Sequence, residues 1–304
     1  MSASPRRLHR RLALLAGLLA AGCTPQGVPP HPHYILGAAY QADGVWHYPR
    51  RRLNGVMTGL AAVIPPGHPP LTADGEAFDP EALAAASPNL QLPAIVRLTN
   101  LANGRQLEVR INDRGPADPG RLIAVTARVA GLLGIPADGA APVRLHVLAG
   151  ASQTAEAALP GAPLLAMTAA PVGTVVTRAL GAPGSTAVDP VVGSAAAPPA
   201  AAVPGGAPGG PALSGQVTQG RPTGGGLWVR LGRFTQYEYA ARLAARVAGL
   251  HPVIRREIAN REEHFVVGIG PFGFGAGGIA AADAALRGVI GVGIGGARIV
   301  VEQE

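Results

Sequence analysis

The chain has 304 residues, of which 48% are hydrophobic, 14% are charged and 4% are aromatic. With 43 glycines and 30 prolines, it approaches a low-complexity composition, which excludes one compact domain throughout and predicts a linker. The formal net charge is +7, and all 25 basic residues are arginines. Four of them lie in the first eleven residues, so residues 23–304 carry only +3. A nucleic-acid-binding protein should show a concentrated basic face, and this sequence does not show one.

The first 22 residues are typical of a lipoprotein signal peptide. Four arginines precede an unbroken apolar run, Leu12–Ala21, which is too short to span a bilayer. Small residues follow, and then Cys23, the one cysteine of the chain. A lone thiol cannot form an internal disulfide, so lipidation of Cys23 as the new N-terminus explains its position better. Ordinary signal cleavage beside an incidental cysteine is the alternative.

Residues 23–56 are predicted to hold a tether rich in proline and histidine, followed by an N-terminal extension. His31 and His33 lie close together, but no further cluster of ligands supports a metal site. In the extension, Trp46 is either a core residue or a platform for a sugar ring. We expect it in the core.

Residues 57–149 show short strand patterns separated by tight turns. Apolar residues alternate with polar ones in the second of three predicted strands, which are Ile95–Thr99, Gln106–Asn112 and Pro142–Leu148. A short helix is predicted over Ala127–Leu133, with Thr126 as its N-cap. Many short strands and little helix predict a small β-barrel.

The remaining residues divide into a linker and a second domain. Residues 150–223 are built mainly from small residues and proline, so we predict a flexible linker there. Residues 224–304 show the order β-α-β-β-α-β, with helices predicted over Tyr237–Leu250 and Ala280–Val289. This order is that of the ferredoxin-like fold.

Two carboxylates stand beside turn-forming residues in the 57–149 block. Glu76 follows an Asp-Gly pair, and Asp113 ends a predicted strand just before a break at Gly115 and Pro116. One interpretation lets Glu76 project from a loop and places Asp113 near the rim of a cleft, where they could act on a ligand. The other makes Glu76 a solvated loop residue and Asp113 an Asx-turn or a partner of Arg114. Spacing alone leaves both interpretations open.

Three segments resemble the double-psi β-barrel of the rare lipoprotein A (RlpA) family. They read T-A-D-G-E-A-F-D at 72–79, L-T-N-L-A-N-G-R at 98–105 and V-R-I-N-D-R-G-P at 109–116. The family pattern includes T-A-N-G-E-x-F-D, T-N-L-x-N-G-R and R-I-N-D-R-G-P. The last 80 residues resemble a SPOR domain, on W-V-R-L-G-R-F at 228–234 and V-G-I-G-P-F at 267–272. Lipobox, barrel, linker and SPOR domain in that order match the architecture of the family.

The resemblance implies a fold class and an activity. The fold is a mainly β double-psi β-barrel joined by a disordered linker to a separate α+β ferredoxin-like (SPOR) domain. The activity is that of a lytic transglycosylase, which cleaves the MurNAc-β-1,4-GlcNAc bond in peptidoglycan strands lacking stem peptides, at the division septum. The 6-hydroxyl of the sugar attacks its own anomeric carbon and leaves a 1,6-anhydro end, so one carboxyl group can serve as acid and then as base. By family correspondence Asp113 is that group, and Glu76 assists it or orients the sugar.

The resemblance also implies partners and a location. The expected partners are glycan strands and a membrane, to which a lipid on Cys23 anchors the chain. The expected location is the inner leaflet of the outer membrane, with the protein facing the periplasm and enriched at the septum. No cofactor and no metal are implied. The candidate glycan-binding residues are Arg114, Arg230, Phe234 and Phe272.

Departures from the family pattern leave a second hypothesis open. Ser87 stands where the family commonly has a histidine, and Ala124 stands where it commonly has an aspartate. The segment Ala61–Ile64 replaces the usual Ala-Ser-Trp-Tyr and removes aromatic surface that could stack on a sugar. The second hypothesis is a lipid-anchored septal protein that binds glycan without turnover.

Overall fold

The computed structural model describes residues 29–163, 211–259 and 261–302. The chain divides into two compact units, Met1–Pro30 and His31–Glu304, and the second unit holds the elements described below. The predicted signal peptide and Cys23 lie outside the described residues, as do residues 164–210 of the predicted linker. No helix in the described ranges is long and apolar enough to cross a membrane.

A short hairpin and a closed barrel make up the first part of the second unit. The hairpin strands are β1 (Tyr40–Ala42) and β2 (Val45–His47). The barrel strands are β3 (Val56–Val63), β4 (Ala84–Ala86), β5 (Ala94–Asn100), β6 (Arg105–Asp113), β7 (Ile123–Val125) and β8 (Ala140–Val147). Their order is β4-β7-β3-β8-β5-β6, and a parallel pairing of β4 with β6 closes the ring. The predicted small barrel is confirmed.

Strand β6 shows how sequence alternation builds this barrel. Leu107, Val109 and Ile111 are buried in the barrel core, while the residues between them are partly exposed. The turn before β6 depends on Gly104, whose φ is +80°. A Cβ atom there would lie 2.3 Å from the backbone oxygen of Gly220, so both conformation and space require glycine.

The helix predicted in the barrel is confirmed, with its caps. Helix α1 spans Ala127–Leu133, and the Thr126 side chain accepts a hydrogen bond from the backbone N–H of Val129. Gly134 ends the helix in the left-handed conformation, with φ 67°.

The linker predicted over 150–223 is wrong at both ends. Helix α2 spans Ala149–Ala157 and is held against the barrel by buried Glu156, which accepts two hydrogen bonds from Arg51 and one from Gln91. Further along, strand β9 (Thr218–Gln219) pairs antiparallel with β6. Small-residue composition indicated a coil, but a few specific contacts are enough to order these segments.

The C-terminal domain has the ferredoxin-like topology that the sequence predicted. Its elements are β10 (Gly226–Phe234), α3 (Tyr237–Arg246), a 3-10 turn (Ala248–Leu250), β11 (Val253–Ala259), β12 (Glu262–Phe272), α4 (Ala276–Gly291) and β13 (Arg298–Glu302). The strand order is β11-β12-β10-β13, and all neighbours are antiparallel. The first helix ends at Arg246, four residues before the predicted end, because the chain tightens into the 3-10 turn.

The barrel and the C-terminal domain contact each other along β3 and β13. The Thr58 hydroxyl donates to the Val301 carbonyl at 2.9 Å and accepts from the Val301 N–H at 3.1 Å. Leu60 and Leu101 of the barrel are buried in the hydrophobic core of the C-terminal domain. The two domains therefore share packed surface.

The expectation that Trp46 lies in the core is wrong. Trp46 is on β2 of the hairpin and is 55% exposed, while its neighbours Val45 and His47 are buried. Alternation along a strand places successive side chains on opposite faces, so the two buried neighbours turn the indole outward.

Candidate active site

The two carboxylates singled out from the sequence lie at one end of the barrel. Asp113 is the last residue of β6, and Glu76 belongs to a tight turn in which the Thr72 N–H donates to the Glu76 carbonyl at 2.9 Å. The turn is fixed to β6, because the Asp74 N–H donates to the Asn112 carbonyl at 3.2 Å. Two of the three family-like segments therefore meet at this site.

Glu76 is buried and held by two donors. Its Oε1 accepts from Nε and Nη2 of Arg110 at 2.9 and 2.6 Å, and its Oε2 accepts from Nδ2 of Asn112 at 2.8 Å. The residue is 6% exposed, so the interpretation of Glu76 as a solvated loop residue is wrong. A carboxylate held by two neighbouring side chains fixes the position of the turn that carries it.

Asp113 is held by three contacts at the barrel rim. Its Oδ1 accepts from the backbone N–H groups of Ala73 and Arg114 at 2.8 and 2.7 Å. Its Oδ2 lies 2.6 Å from Nε2 of His68. The bond to the Arg114 N–H reaches only the next residue, so it is not an Asx turn, but it does make Asp113 a partner of Arg114. The same carboxylate also contacts a histidine.

His68 is the residue that sequence analysis missed. It lies in the loop between β3 and the Thr72–Glu76 turn, with its ring stacked on Phe78 at 4.0 Å and its Nδ1 2.7 Å from the Pro69 carbonyl. A carbonyl oxygen only accepts, so Nδ1 carries a hydrogen. Nε2 of the same ring lies within hydrogen-bond distance of Oδ2 of Asp113, at 2.6 Å. The pair thus brings an imidazole and a carboxylate into contact at the barrel rim.

Ser87, at the position where the family commonly has histidine, also lies beside Asp113. Its backbone N–H donates to the Asp113 carbonyl at 2.9 Å, and the residue is 4% exposed. His68 therefore supplies an imidazole to the same aspartate from a different segment. The only sequence signal was a histidine between prolines in a loop, at 65–70.

Asp74 is a third carboxyl group in the cluster. It is fully buried, and its Oδ1 accepts from the Thr72 hydroxyl at 2.7 Å and from the Glu76 N–H at 3.2 Å. Its Oδ2 has no hydrogen-bond partner among the described residues. Burial, and then the charge of Glu76, raises the pKa of Asp74 to about 7. A protonated aspartic acid has nearly the shape of asparagine, which is the residue in the family-like pattern at this position.

The other departure, Ala124, lies in the barrel wall. It is on β7, where it pairs with Ala62 of β3 and with Ala86 of β4, and it is buried. Small side chains fill this part of the barrel, and no carboxylate occupies the position.

The four glycan-binding candidates lie apart from one another. The Arg114 guanidinium donates to the backbone carbonyls of Ser87, Leu90 and Leu36, which directs it into the protein. In the C-terminal domain, Arg230 donates to Glu302 at 2.7 Å, while Phe234 and Phe272 pack against the hydrophobic core. Direct contact of these residues with glycan stays a prediction.

Comparison with known proteins agrees with this geometry. Residues 58–145, which contain the barrel strands and the site, match the double-psi β-barrel domain family described as lytic transglycolase (DPBB_1). The barrel is similar to the lytic transglycolase domain family. The resemblance inferred from the three motifs is thereby confirmed for this domain.

Two relatives of the barrel are named endolytic peptidoglycan transglycosylase RlpA. The endolytic peptidoglycan transglycosylase RlpA of Yersinia pestis is 56% identical over 64 residues, which are 21% of this chain and 18% of that protein. RlpA of Salmonella typhimurium is 42% identical over 113 residues, or 36% of this chain and 29% of that protein. The chain therefore spans less than a third of the length of these relatives.

One solved structure resembles the C-terminal domain. The RlpA SPOR domain from Pseudomonas aeruginosa aligns with 26% of this chain and 100% of its own length, at 22% identity and a TM-score of 0.21.

Proposed function

We propose that this protein is a peptidoglycan lytic transglycosylase that cleaves glycan strands lacking stem peptides. The observation that carries the proposal is the His68–Asp113 pair at the barrel rim, in which Nε2 and Oδ2 lie 2.6 Å apart and can exchange a proton. The similarity of the barrel to lytic transglycolases, and to relatives named endolytic peptidoglycan transglycosylase RlpA, supports the same reaction.

The proposed reaction needs one proton to leave the pair and one to return. The pair protonates the oxygen that links the muramyl sugar to the next residue, and the bond from that oxygen to the anomeric carbon breaks. The 6-hydroxyl oxygen of the same sugar then bonds to the anomeric carbon, and its proton passes back to the pair. No water is consumed, so a second carboxylate that activates water is not required.

The remaining polar residues of the site position this pair. Glu76 is committed to Arg110 and Asn112, so its contribution is to fix the turn that carries the Ala73 N–H. Asp74, fully buried, holds that turn from inside through Thr72 and the Glu76 N–H. We therefore assign the acid and base roles to the His68–Asp113 pair and a positioning role to Glu76.

The cellular setting of the reaction is also part of the proposal. We infer that Cys23 is lipidated and anchors the chain in the inner leaflet of the outer membrane, since it directly follows a signal-like segment. We infer that the C-terminal domain binds glycan and brings the enzyme to the septum. A Cys23→Ser variant that still fractionates with membranes would overturn the first inference. A fluorescent fusion that spreads evenly around the envelope would overturn the second.

The activity is tested directly with purified glycan. Incubation of the full chain with strands freed of stem peptides should give fragments with 1,6-anhydro ends, identified by mass spectrometry. A chain that binds the strands but releases no anhydro product would instead be the glycan-binding protein without turnover.

A further inference from the structure

A groove of about 610 Å³ lies next to the active site and is not used by the proposed reaction. The hairpin β1–β2, the residues after β4 and the start of β13 form its walls. Two kinds of side chain mark its lining: the aromatic pair Trp46 and Tyr48, and five arginines, which are Arg50, Arg52, Arg121, Arg230 and Arg298.

Three of the five arginines carry charge that no acidic residue neutralises. Arg121 pairs with Asp283 and Arg230 pairs with Glu302, each at 2.7 Å. The guanidinium groups of the other three make no ion pair or hydrogen bond within the described residues; these are Arg50, Arg52 and Arg298. No aspartate or glutamate is among the residues that line the groove. An anion is therefore the ligand that this charge favours.

The arginines of the groove lie close enough to Arg298 to affect its pKa. Partial burial, and then the charges of Arg230 and Arg52, lowers the pKa of Arg298. Repulsion among these cations would be relieved by a bound anion.

His47 adds a neutral polar atom to the groove wall. It is 7% exposed, and its Nε2 makes no hydrogen bond in the described part of the chain. Burial lowers the pKa of His47, so the imidazole is neutral at pH 7 and adds no charge to the groove. A buried polar atom without a partner costs free energy unless a ligand or water satisfies it.

The aromatic pair adds apolar surface for a ring. Trp46 and Tyr48 are 55% and 54% exposed, and their rings stack with centroids 6.5 Å apart. Large exposed aromatic side chains on a small domain indicate a binding surface. Beside unpaired arginines, such a surface fits a sugar ring that carries a carboxylate.

We propose that this groove is a second glycan subsite that binds the free lactyl carboxylate of an N-acetylmuramic acid without a stem peptide. The inference rests on the proposed function, because it takes a peptidoglycan strand as the ligand. Ser87 connects the two sites: it lines the groove, and its N–H donates to the Asp113 carbonyl. A strand in the groove would thus continue to the His68–Asp113 pair. Capping of the carboxylate by a stem peptide removes the charge that the arginines bind, so the groove selects stripped strands.

The test is binding of glycan strands to the full chain, measured by calorimetry in an Asp113→Asn background so that strands are not consumed. The two probes are strands with free lactyl carboxylates and the same strands with those carboxylates converted to methylamides. The groove variant is Arg52→Gln/Arg298→Gln. The control is Arg261→Gln/Arg287→Gln, which removes the same charge from exposed positions outside the groove lining.

We expect the groove variant to lose about tenfold in affinity for free-carboxylate strands and nothing for methylamide strands. The control should match the parent on both probes. Trp46→Ala should weaken both probes equally, because its contact is with the ring. Equal affinity of the groove variant and the control for free-carboxylate strands would overturn the proposal, as would an equal loss on both probes. Failure of the proposed function is scored separately, as absence of anhydro product from the unmodified chain.

Discussion

His68 and Asp113 are 45 residues apart in the sequence, yet Nε2 of the first lies 2.6 Å from Oδ2 of the second. The barrel creates this contact: the loop that carries His68 leaves β3 at Val63, and β6 ends at Asp113 on the same rim. Ser87 stands where the family-like pattern has histidine, and His68 places an imidazole beside Asp113 from another segment. The proposal that the protein is an active transglycosylase depends on this pair.

The first prediction concerns His68. His68→Gln should lower the rate of anhydro-product formation about 10²–10⁴-fold, because it removes the partner that shares the proton with Asp113. The melting temperature should change little, since the side chain lies in a loop at the barrel rim. Product is measured by mass spectrometry and stability by circular dichroism. The exposed His146 on β8 provides the control variant, His146→Gln, which should retain full activity. A His68→Gln rate equal to that of the control would remove His68 from the mechanism.

The second prediction separates the two carboxylates. Asp113→Asn keeps both backbone N–H contacts through Oδ1 but cannot carry the transferred proton, so product should disappear while the fold is retained. Glu76→Gln leaves Arg110 without a charged partner, and loss of one member of a buried ion pair lowers the free energy of unfolding by about 3–5 kcal/mol. Denaturant titration beside the product assay distinguishes these effects. An active Asp113→Asn variant, or a fully stable Glu76→Gln variant without activity, would exchange the assigned roles.

Local sequence patterns were sufficient where local forces decide the structure. Helix α1 begins after Thr126 and ends before Gly134 as predicted, because both caps act within one turn. The alternation of β6 and the β-α-β-β-α-β order were equally readable. The motif also brought Glu76 and Asp113 to one end of the barrel, as expected.

Tertiary contacts decided the features that the sequence did not reveal. His68 required the register of barrel closure, and helix α2 required the contact of Glu156 with Arg51. Neither contact is periodic or local, and both occur in segments whose composition indicates coil. Trp46 was expected in the core, whereas strand alternation in a two-stranded hairpin turns it outward.

The third prediction follows from the buried Asp74. Its pKa is about 7 in the folded protein and near 3.8 in the unfolded chain, so the folded state holds a proton that the unfolded state releases. The free energy of unfolding should therefore fall as the pH rises from about 4 to about 7, by up to about 4 kcal/mol.

Asp74→Asn should remove this slope and make the variant more stable than the parent at pH 8, with little difference at pH 4. Guanidinium titrations across this pH range measure it. Asp138→Asn, at an exposed position, is the control and should leave the slope unchanged. A slope that persists in Asp74→Asn would assign the proton to another group.

The fourth prediction concerns the contact between the barrel and the C-terminal domain. Arg121 donates from both Nη atoms to the two carboxylate oxygens of Asp283 at 2.7 and 2.8 Å, and both side chains are about 15% exposed. A paired, largely buried bidentate contact leaves a costly unpaired charge when one member is removed. Arg121→Gln or Asp283→Asn alone should therefore lower the free energy of unfolding by about 2–3 kcal/mol, and the double variant should lose less than the sum of the two.

The Arg97–Glu108 pair supplies the matched comparison within the barrel. Its contact is as short, at 2.8 Å, but its side chains are 45% and 44% exposed, so solvent screening should reduce the same double-mutant coupling below about 1 kcal/mol. Denaturant titration of seven chains, which are the shared parent and three variants for each cycle, gives both coupling energies. Scattering in solution should in addition show a larger radius for the Arg121→Gln chain than for the Arg97→Gln chain, because Arg121 pairs with a residue of the C-terminal domain and Arg97 pairs within the barrel. Equal coupling in the two cycles, with equal radii, would mean that the Arg121–Asp283 contact does not hold the C-terminal domain against the barrel.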